Sequence, residues 1–300
     1  MNQSFTHAPV LEKEVMQLLA PMSDETLLDV TLGLGGHAKR FLEMTAPNGK
    51  LFALDADSKN LEQAHEVLLD FDNRMELRHL NFGQITDLEF PPLDILFADL
   101  GLSSPHLDDP ERGFSFRTDA PLDMRFDRTS GITASQLIKT SDEDALTKIF
   151  RGFGELYPQA KRLAKTLAGS DVLTTFHLKA IVEQTFGFKA KSLMPQVFQA
   201  LRIAVNDELR SLQELLRVGP TLLAIGGRMG VISFHSLEDR MVKHTFRSLT
   251  TPVKDDITGK VAIAAPFELL THKSVMPSDE EIERNPRARS AKFRVIRKVS

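Results

Sequence analysis

The apolar positions of this chain fall into short runs with amphipathic stretches between them. Thr26-Leu-Leu-Asp-Val30, Lys50-Leu-Phe-Ala-Leu54, Met75-Glu-Leu-Arg-His79 and Leu93-Asp-Ile-Leu-Phe-Ala-Asp99 are apolar or alternating, which predicts strands. Ala38–Met44 after the first run reads as a helix. Strands alternating with helices predict a parallel sheet covered on both faces. The alternation stops near residue 106, and the next strand pattern is Gly226-Gly-Arg-Met-Gly-Val-Ile-Ser-Phe234. Helices are predicted in the gap. Ser141-Asp-Glu-Asp opens one with a cap and an acidic first turn. A second runs through Ala160-Lys-Arg-Leu-Ala, and Thr174 or Thr175 caps a third. A long fourth helix follows Pro195 and stops at Gly219-Pro220. Its Phe198, Leu201, Val205, Leu209, Leu212 and Leu216 are spaced three or four apart, which predicts one buried stripe. Ala291–Arg297 reads as a last strand, and residues 251–283 carry no clear pattern. The expected organisation is an α/β domain of residues 1–105 and 218–300, with a mainly helical domain, 106–217, inserted.

Composition narrows the class. A chain of 300 residues with 42% hydrophobic and 26% charged residues is of ordinary globular make-up. No apolar run is long enough to span a membrane, and no signal peptide is legible at the start. Cysteine is absent, which excludes disulfides, Cys-ligated zinc and thiol catalysis, and suits a cytoplasmic protein. The nine histidines are scattered, so no metal site is expected. The net charge of −4 is unevenly spread: residues 111–217 carry 16 basic and 13 acidic side chains, hence +3, and the rest carry −7. Arg284–Lys298 adds a basic stripe, read as a solvated face unless it borders a site.

The chemistry concentrates after the first strands. Asp29-Val-Thr-Leu-Gly-Leu-Gly-Gly-His37 joins the first strand to its helix, and the second strand ends in Asp55-Ala-Asp57. Glycines here let backbone approach a ligand, and an acid at the next strand tip accepts from ribose hydroxyls. The third glycine of the dinucleotide fingerprint is missing, and His37 stands where pyrophosphate would need a helix N-terminus. A sulfonium cofactor carries no phosphate, and Asp29, Gly33, Gly35, Gly36 and Asp55 suit its amino group, ribose and methionine part. Asp29, Asp55 and Asp99 share the rim where such sheets bind ligands. A nicotinamide oxidoreductase is the competing reading.

Ten segments in order then resemble one family. They are His7-Ala-Pro-Val-Leu, Asp29–His37, Asp55-Ala-Asp57, Asp99-Leu-Gly-Leu-Ser-Ser104, Arg112-Gly-Phe-Ser-Phe116, Pro121-Leu-Asp-Met-Arg125, Gly154-Glu155, Phe198–Asn206, Ser233–Arg240 and Asn285–Ser290. The chain resembles the bacterial ribosomal small-subunit methyltransferase H, or MraW, family. The resemblance implies a Rossmann-like class I methyltransferase sheet with an inserted substrate domain. It implies S-adenosylmethionine as cofactor, and methylation of the exocyclic N4 of a cytidine in the decoding region of 16S rRNA. The partner implied is 16S rRNA within the small ribosomal subunit, with a homodimer left open. By position, the implied cofactor contacts are Gly35, Gly36, His37, Asp55, Phe82, Asp99 and His106, to which the reading of the loop adds Gly33. The family usually has Gln at position 106 and Tyr at 153, where this chain has His106 and Phe153. Met194-Pro-Gln196 replaces the usual Ala-Thr-Arg, removing one arginine expected to face RNA.

Methyl transfer to an exocyclic amine needs that amine held in line at roughly 3 Å, with acceptors for its N–H bonds. Ser103, Asp123 and His235 are the candidate acceptors or proton relays. Asp123 reads equally as a partner of Arg125 or Arg117, and His235 with Ser236 as a cap of the following helix. Gln199, Arg202 and Asn206 form a polar helix stripe expected to meet substrate, or else an exposed face. Arg125 joins them as a substrate-binding candidate. With no Trp and one Tyr, a base-stacking partner must be Phe or Arg. Methylation of DNA or protein, and a non-enzymatic RNA-binding role, are further alternatives.

Overall fold

The computed structural model describes residues 9–255 and 257–300. Its main sheet has seven strands in the order β3-β2-β1-β4-β5-β9-β8. β1 (Thr26–Asp29), β2 (Lys50–Asp55), β3 (Met75–His79), β4 (Leu93–Asp99) and β5 (Leu223–Ser233) run parallel. β9 (Lys292–Lys298) is antiparallel to both β5 and β8 (Phe267–Leu269). This is the Rossmann-like α/β sheet expected from the sequence. A small hairpin, β6 (Val253–Lys254) with β7 (Val261–Ile263), stands apart from it.

Alternation of side chains along each strand fills two cores, one on each face. Leu27, Ile95 and Phe97 join the helices Glu12–Leu19, Gly36–Met44 and Ser58–Val67 on one face. Leu28, Leu96 and Ala98 join Leu212, Leu215, Leu216, Val242 and Phe246 on the other. Beneath the sheet a buried ion pair ties β5 down: Arg228 Nη1 lies 2.6 Å from Glu25 Oε1, while Nε donates to the Leu19 carbonyl at 2.8 Å.

The chain divides into two compact units, one of residues up to Gly101 with Arg210–Ser300 and one of Leu102–Leu209. These joints differ from the 105/106 and 217/218 read from sequence. The helix at Ser104 belongs to the inserted unit, and Leu212, Leu215 and Leu216 fill the sheet's own core. The inserted unit is built from helices Ala134–Thr140, Glu143–Gly152, Ala160–Leu167, Thr175–Phe186 and Ala190–Asn206 around Phe150, Leu163, Val182 and Leu201. Asp142, one residue after the expected Ser141, caps the second by accepting from the Ala145 N–H at 2.7 Å. Thr174 caps Thr175–Phe186 by accepting from the His177 N–H.

Two expectations are corrected. The long helix is two helices, Ala190–Asn206 and Glu208–Leu222, broken where Asp207 takes φ 50°. Pro195 and Gly219-Pro220 lie inside these helices rather than at their ends. The single stripe is therefore two: Phe198 and Leu201 serve the inserted unit's core, and Leu212 and Leu216 serve the sheet's. Residues 251–283 are also more regular than their sequence suggests, since they hold β8, which extends the main sheet.

Candidate functional site

Three acids end β1, β2 and β4 and are brought to one rim by the parallel register. The loop after β1 makes a tight passage into its helix. Gly35 caps that helix at φ 79°, in the left-handed region that suits glycine. A Cβ on Gly36 would stand 2.7 Å from Pro9 Cγ, so only glycine lets these segments meet. Asp55 fastens the loop: its Oδ2 accepts from the Gly33 N–H at 2.7 Å, and its Oδ1 from the Asp57 N–H at 2.8 Å and Asn60 Nδ2 at 3.2 Å. In the sequence Asp57 is part of the strand-end motif without a role of its own, and Asn60 is not singled out. The signal available was only that two polar side chains follow a strand-tip acid.

Asp29 and Asp99 are joined through Thr31. The Thr31 N–H donates to Asp29 Oδ1 at 3.0 Å, and its Oγ1 accepts from the Asp99 N–H at 2.6 Å. Burial raises the Asp29 carboxyl to about 7, opposed by the Thr31 N–H and reinforced by the charge of Asp55. Burial, then Asp29 and Glu238, push Asp99 well above the carboxylate range. Asp99 Oδ1 is buried without a hydrogen-bond partner among the described residues. His37 lies beside it, Nε2 3.8 Å from Asp99 Oδ2, its ring 4.8 Å from that of Phe97. Burial lowers this imidazole to about 3, opposed by the Val10 backbone. Among the described residues, neither ring nitrogen has a hydrogen-bond partner.

Buried acids that raise one another's pKa values and leave an oxygen orphaned call for a cationic ligand with N–H or O–H donors. A pyrophosphate would add repulsion. This counts against the nicotinamide reading and fits an amino-sulfonium nucleoside. Phe82 opens a 3₁₀ turn just after β3, half-buried against the sheet's core, where Asn81 caps the turn by accepting from the Gly83 N–H at 2.8 Å. In the same unit His235 caps the helix Ser236–Leu249, its Nδ1 accepting from the Glu238 N–H at 3.4 Å. Its Nε2 lies 3.1 Å from Glu238 Oε1. The capping reading of His235 thus has direct geometry behind it.

The other candidates lie in the inserted unit. The Ser103 N–H donates to His106 Nδ1 at 3.2 Å, with Ser103 Oγ 3.0 Å from the same nitrogen. His106 is buried with its ring 5.0 Å from that of Phe126. Asp123 pairs with Arg125, Oδ1 to Nε 2.7 Å and Oδ2 to Nη2 3.1 Å, and Arg128 approaches within 3.4 Å. Burial raises Asp123, but the Arg125 guanidinium and backbone N–H together with the Arg128 charge outweigh it and hold the carboxyl below its ordinary value. Arg125 is thus its partner, and Arg117 is not among the charges that shift it. Arg202 forks onto Glu208 at 2.8 and 2.9 Å. Asn206 pins a loop: Oδ1 accepts from the Phe126 N–H at 2.7 Å, and Nδ2 donates to the Met124 carbonyl at 2.7 Å. Gln199 Nε2 donates to the Phe153 carbonyl at 3.1 Å. The stripe is an interior brace of this unit as much as a surface.

A Rossmann-like sheet with a glycine loop after β1 and buried acids at its strand tips defines an α/β enzyme that takes a cationic nucleoside cofactor. The family model described as the MraW methylase family matches residues 4–299. A relative from Syntrophotalea carbinolica, named ribosomal RNA small subunit methyltransferase H, is 44% identical over 99% of this chain and 99% of its own. One of the same name from Cyanothece sp. is 41% identical over 100% of this chain and 97% of its own. The solved structure of an rRNA methylase from Streptococcus thermophilus covers 98% of this chain and 99% of its own, at 11% identity and a TM-score of 0.43. The chain belongs to the MraW methylase family, whose members are S-adenosylmethionine-dependent methyltransferases.

Proposed function

We propose that the protein is an rRNA methyltransferase that acts on the exocyclic N4 of a cytidine in the decoding region of 16S rRNA, within the small ribosomal subunit. The observation that carries the cofactor half is the acid rim, above all the orphaned, buried Asp99 Oδ1 beside a carboxyl raised to about 7. The substrate half rests on the names of the full-length relatives and on the ten matching segments.

S-adenosylmethionine supplies an electrophilic methyl group on a cationic sulfur. Asp55 accepts from ribose hydroxyls while keeping the glycine loop fastened. Asp29 and Asp99 supply negative charge against the cofactor's positive groups, and binding draws both toward the ionised form. His37, neutral at physiological pH, offers a donor and an acceptor without adding charge. Phe82 offers a face to adenine. Gly33, Gly35 and Gly36 keep side chains out of the way, and His106 is a further candidate contact.

The inserted unit, residues 102–209, supplies substrate recognition, with Arg125, Gln199, Arg202 and Asn206 as candidates. The cytidine must leave its stack to expose N4. Ser103, Asp123 and His235 are the candidate N–H acceptors. Asp123 is weakened as a base, since its pairing with Arg125 keeps it below its ordinary value and occupies its oxygens. A strong base is not required, because the proton can leave after the methyl arrives. The test incubates the protein with methyl-tritiated S-adenosylmethionine and small subunits lacking this methylation, then maps the label by nuclease digestion and mass spectrometry. Label on N4 of one decoding-region cytidine is expected. Label only on DNA, protein or another base would overturn the substrate reading.

A further inference from the structure

Phe188 is the most exposed aromatic side chain among the described residues, at 91%. Its neighbours explain how it is held out. Phe186 packs against the inserted unit's core, and Ala190 is buried. Between them Gly187 takes φ 57° and ψ −129°, a conformation that glycine reaches far more readily than other residues. A single glycine thus turns one phenylalanine inward and the next outward, at the joint between helices Thr175–Phe186 and Ala190–Asn206. Phe188 contributes nothing to the core that would account for it.

The charged side chains near it in sequence are mostly basic. Lys189 Nζ sits 5.9 Å from the Phe188 ring centroid, and Lys191 is exposed two residues on. At the start of the preceding helix, Thr175–Phe186, Phe176, 40% exposed, has Lys179 Nζ 5.0 Å from its ring. Across residues 172–206 Glu183 is the lone acid against Lys179, Lys189, Lys191 and Arg202. An exposed aromatic flanked by lysines is poorly matched to an apolar protein surface. It is well matched to an unpaired base with its phosphates.

We propose that Phe188 is a stacking post for an unpaired base of the RNA substrate, with Lys189 and Lys191 holding the phosphates beside it. This rests on the RNA reading given above and locates a specificity element within it. Stacking at this post tightens substrate binding and leaves the methyl-transfer step alone.

The chain has no tryptophan, so Phe188→Trp introduces a sole indole at the post. Its emission is expected to quench on titration with 16S rRNA fragments. Phe188→Ala is expected to raise KM for the RNA roughly five- to hundredfold, with kcat and S-adenosylmethionine affinity unchanged. Phe188→Tyr should restore KM. Joint Lys189→Gln and Lys191→Gln should reduce the slope of log affinity against log salt by about 1.4, the value for two single-strand phosphate contacts. Unquenched emission at saturating RNA, or a KM for Phe188→Ala within twofold of wild type, overturns the proposal. So does a defect confined to assembled subunits with naked-RNA binding intact, which would mark a protein contact. A wild-type protein that methylates no rRNA sinks the substrate reading separately, and the indole titration still decides whether RNA stacks here.

Discussion

Replacing Asp29 with asparagine isolates what it costs to keep a carboxyl at the tip of β1. Burial is the main cause of its rise from 3.8 to about 7. The folded chain therefore holds a proton that the unfolded chain has released across the window between those values. Stability from this group is highest below pH 3.8 and falls as pH rises to about 7, the reverse of a salt-bridged aspartate. Integrated between pH 5 and pH 8, the loss comes to about 2.5 kcal/mol. Asparagine has no charge to bury, and its carbonyl can still accept the Thr31 N–H that Asp29 takes at 3.0 Å. Cofactor-free wild type should thus lose about 2.5 kcal/mol more than Asp29→Asn between pH 5 and pH 8. Urea unfolding of both proteins at pH 5, 6.5 and 8, followed by far-ultraviolet circular dichroism, measures the difference. Saturating S-adenosylmethionine should narrow the gap at pH 8, because a cation favours the ionised acid. Parallel stability–pH curves for the two cofactor-free proteins would refute the reasoning.

Asp55→Ala removes both the ribose acceptor and the fastening of Gly33, and should weaken S-adenosylmethionine binding by about one to two orders of magnitude; unchanged affinity by calorimetry would rule the role out. Arg228→Met leaves Glu25 buried without its partner and should cost ~3–5 kcal/mol in urea unfolding, part of which a Glu25→Leu second change should recover. Asn206→Ala strands the Phe126 N–H and should cost ~1–3 kcal/mol while leaving S-adenosylmethionine affinity intact. A loss of cofactor binding in that variant would move Asn206 out of its bracing role.

The strands and the acid rim were legible because each depends on local patterning. Leu27 and Leu28 alternate between two cores, and a strand ends where an acid meets the rim. The glycine loop was legible for a similar reason, since the spacing of Gly33, Gly35 and Gly36 leaves few other uses. The break at Asp207 was not, because the apolar spacing continues unchanged across it and only the destination of each half differs. β8 was hidden by its length of three residues and its edge position. The local duties of Asp123, Asn206 and His235 depend on partners that periodicity cannot name, such as the Phe126 N–H lying eighty positions from Asn206.

The insertion of residues 102–209 between β4 and β5 also fixes an order of events during synthesis. β4 leaves the ribosome long before the strand that covers its second edge. At roughly 5–20 residues per second, the intervening segment delays β5 by on the order of 5–20 s. Through that interval Leu93–Asp99, whose side chains are almost all buried in the finished fold, offers an open apolar edge. A chain released at Gly101 would therefore leave the open edge of β4 free to associate, and the inserted unit must emerge before the sheet can close over its own centre.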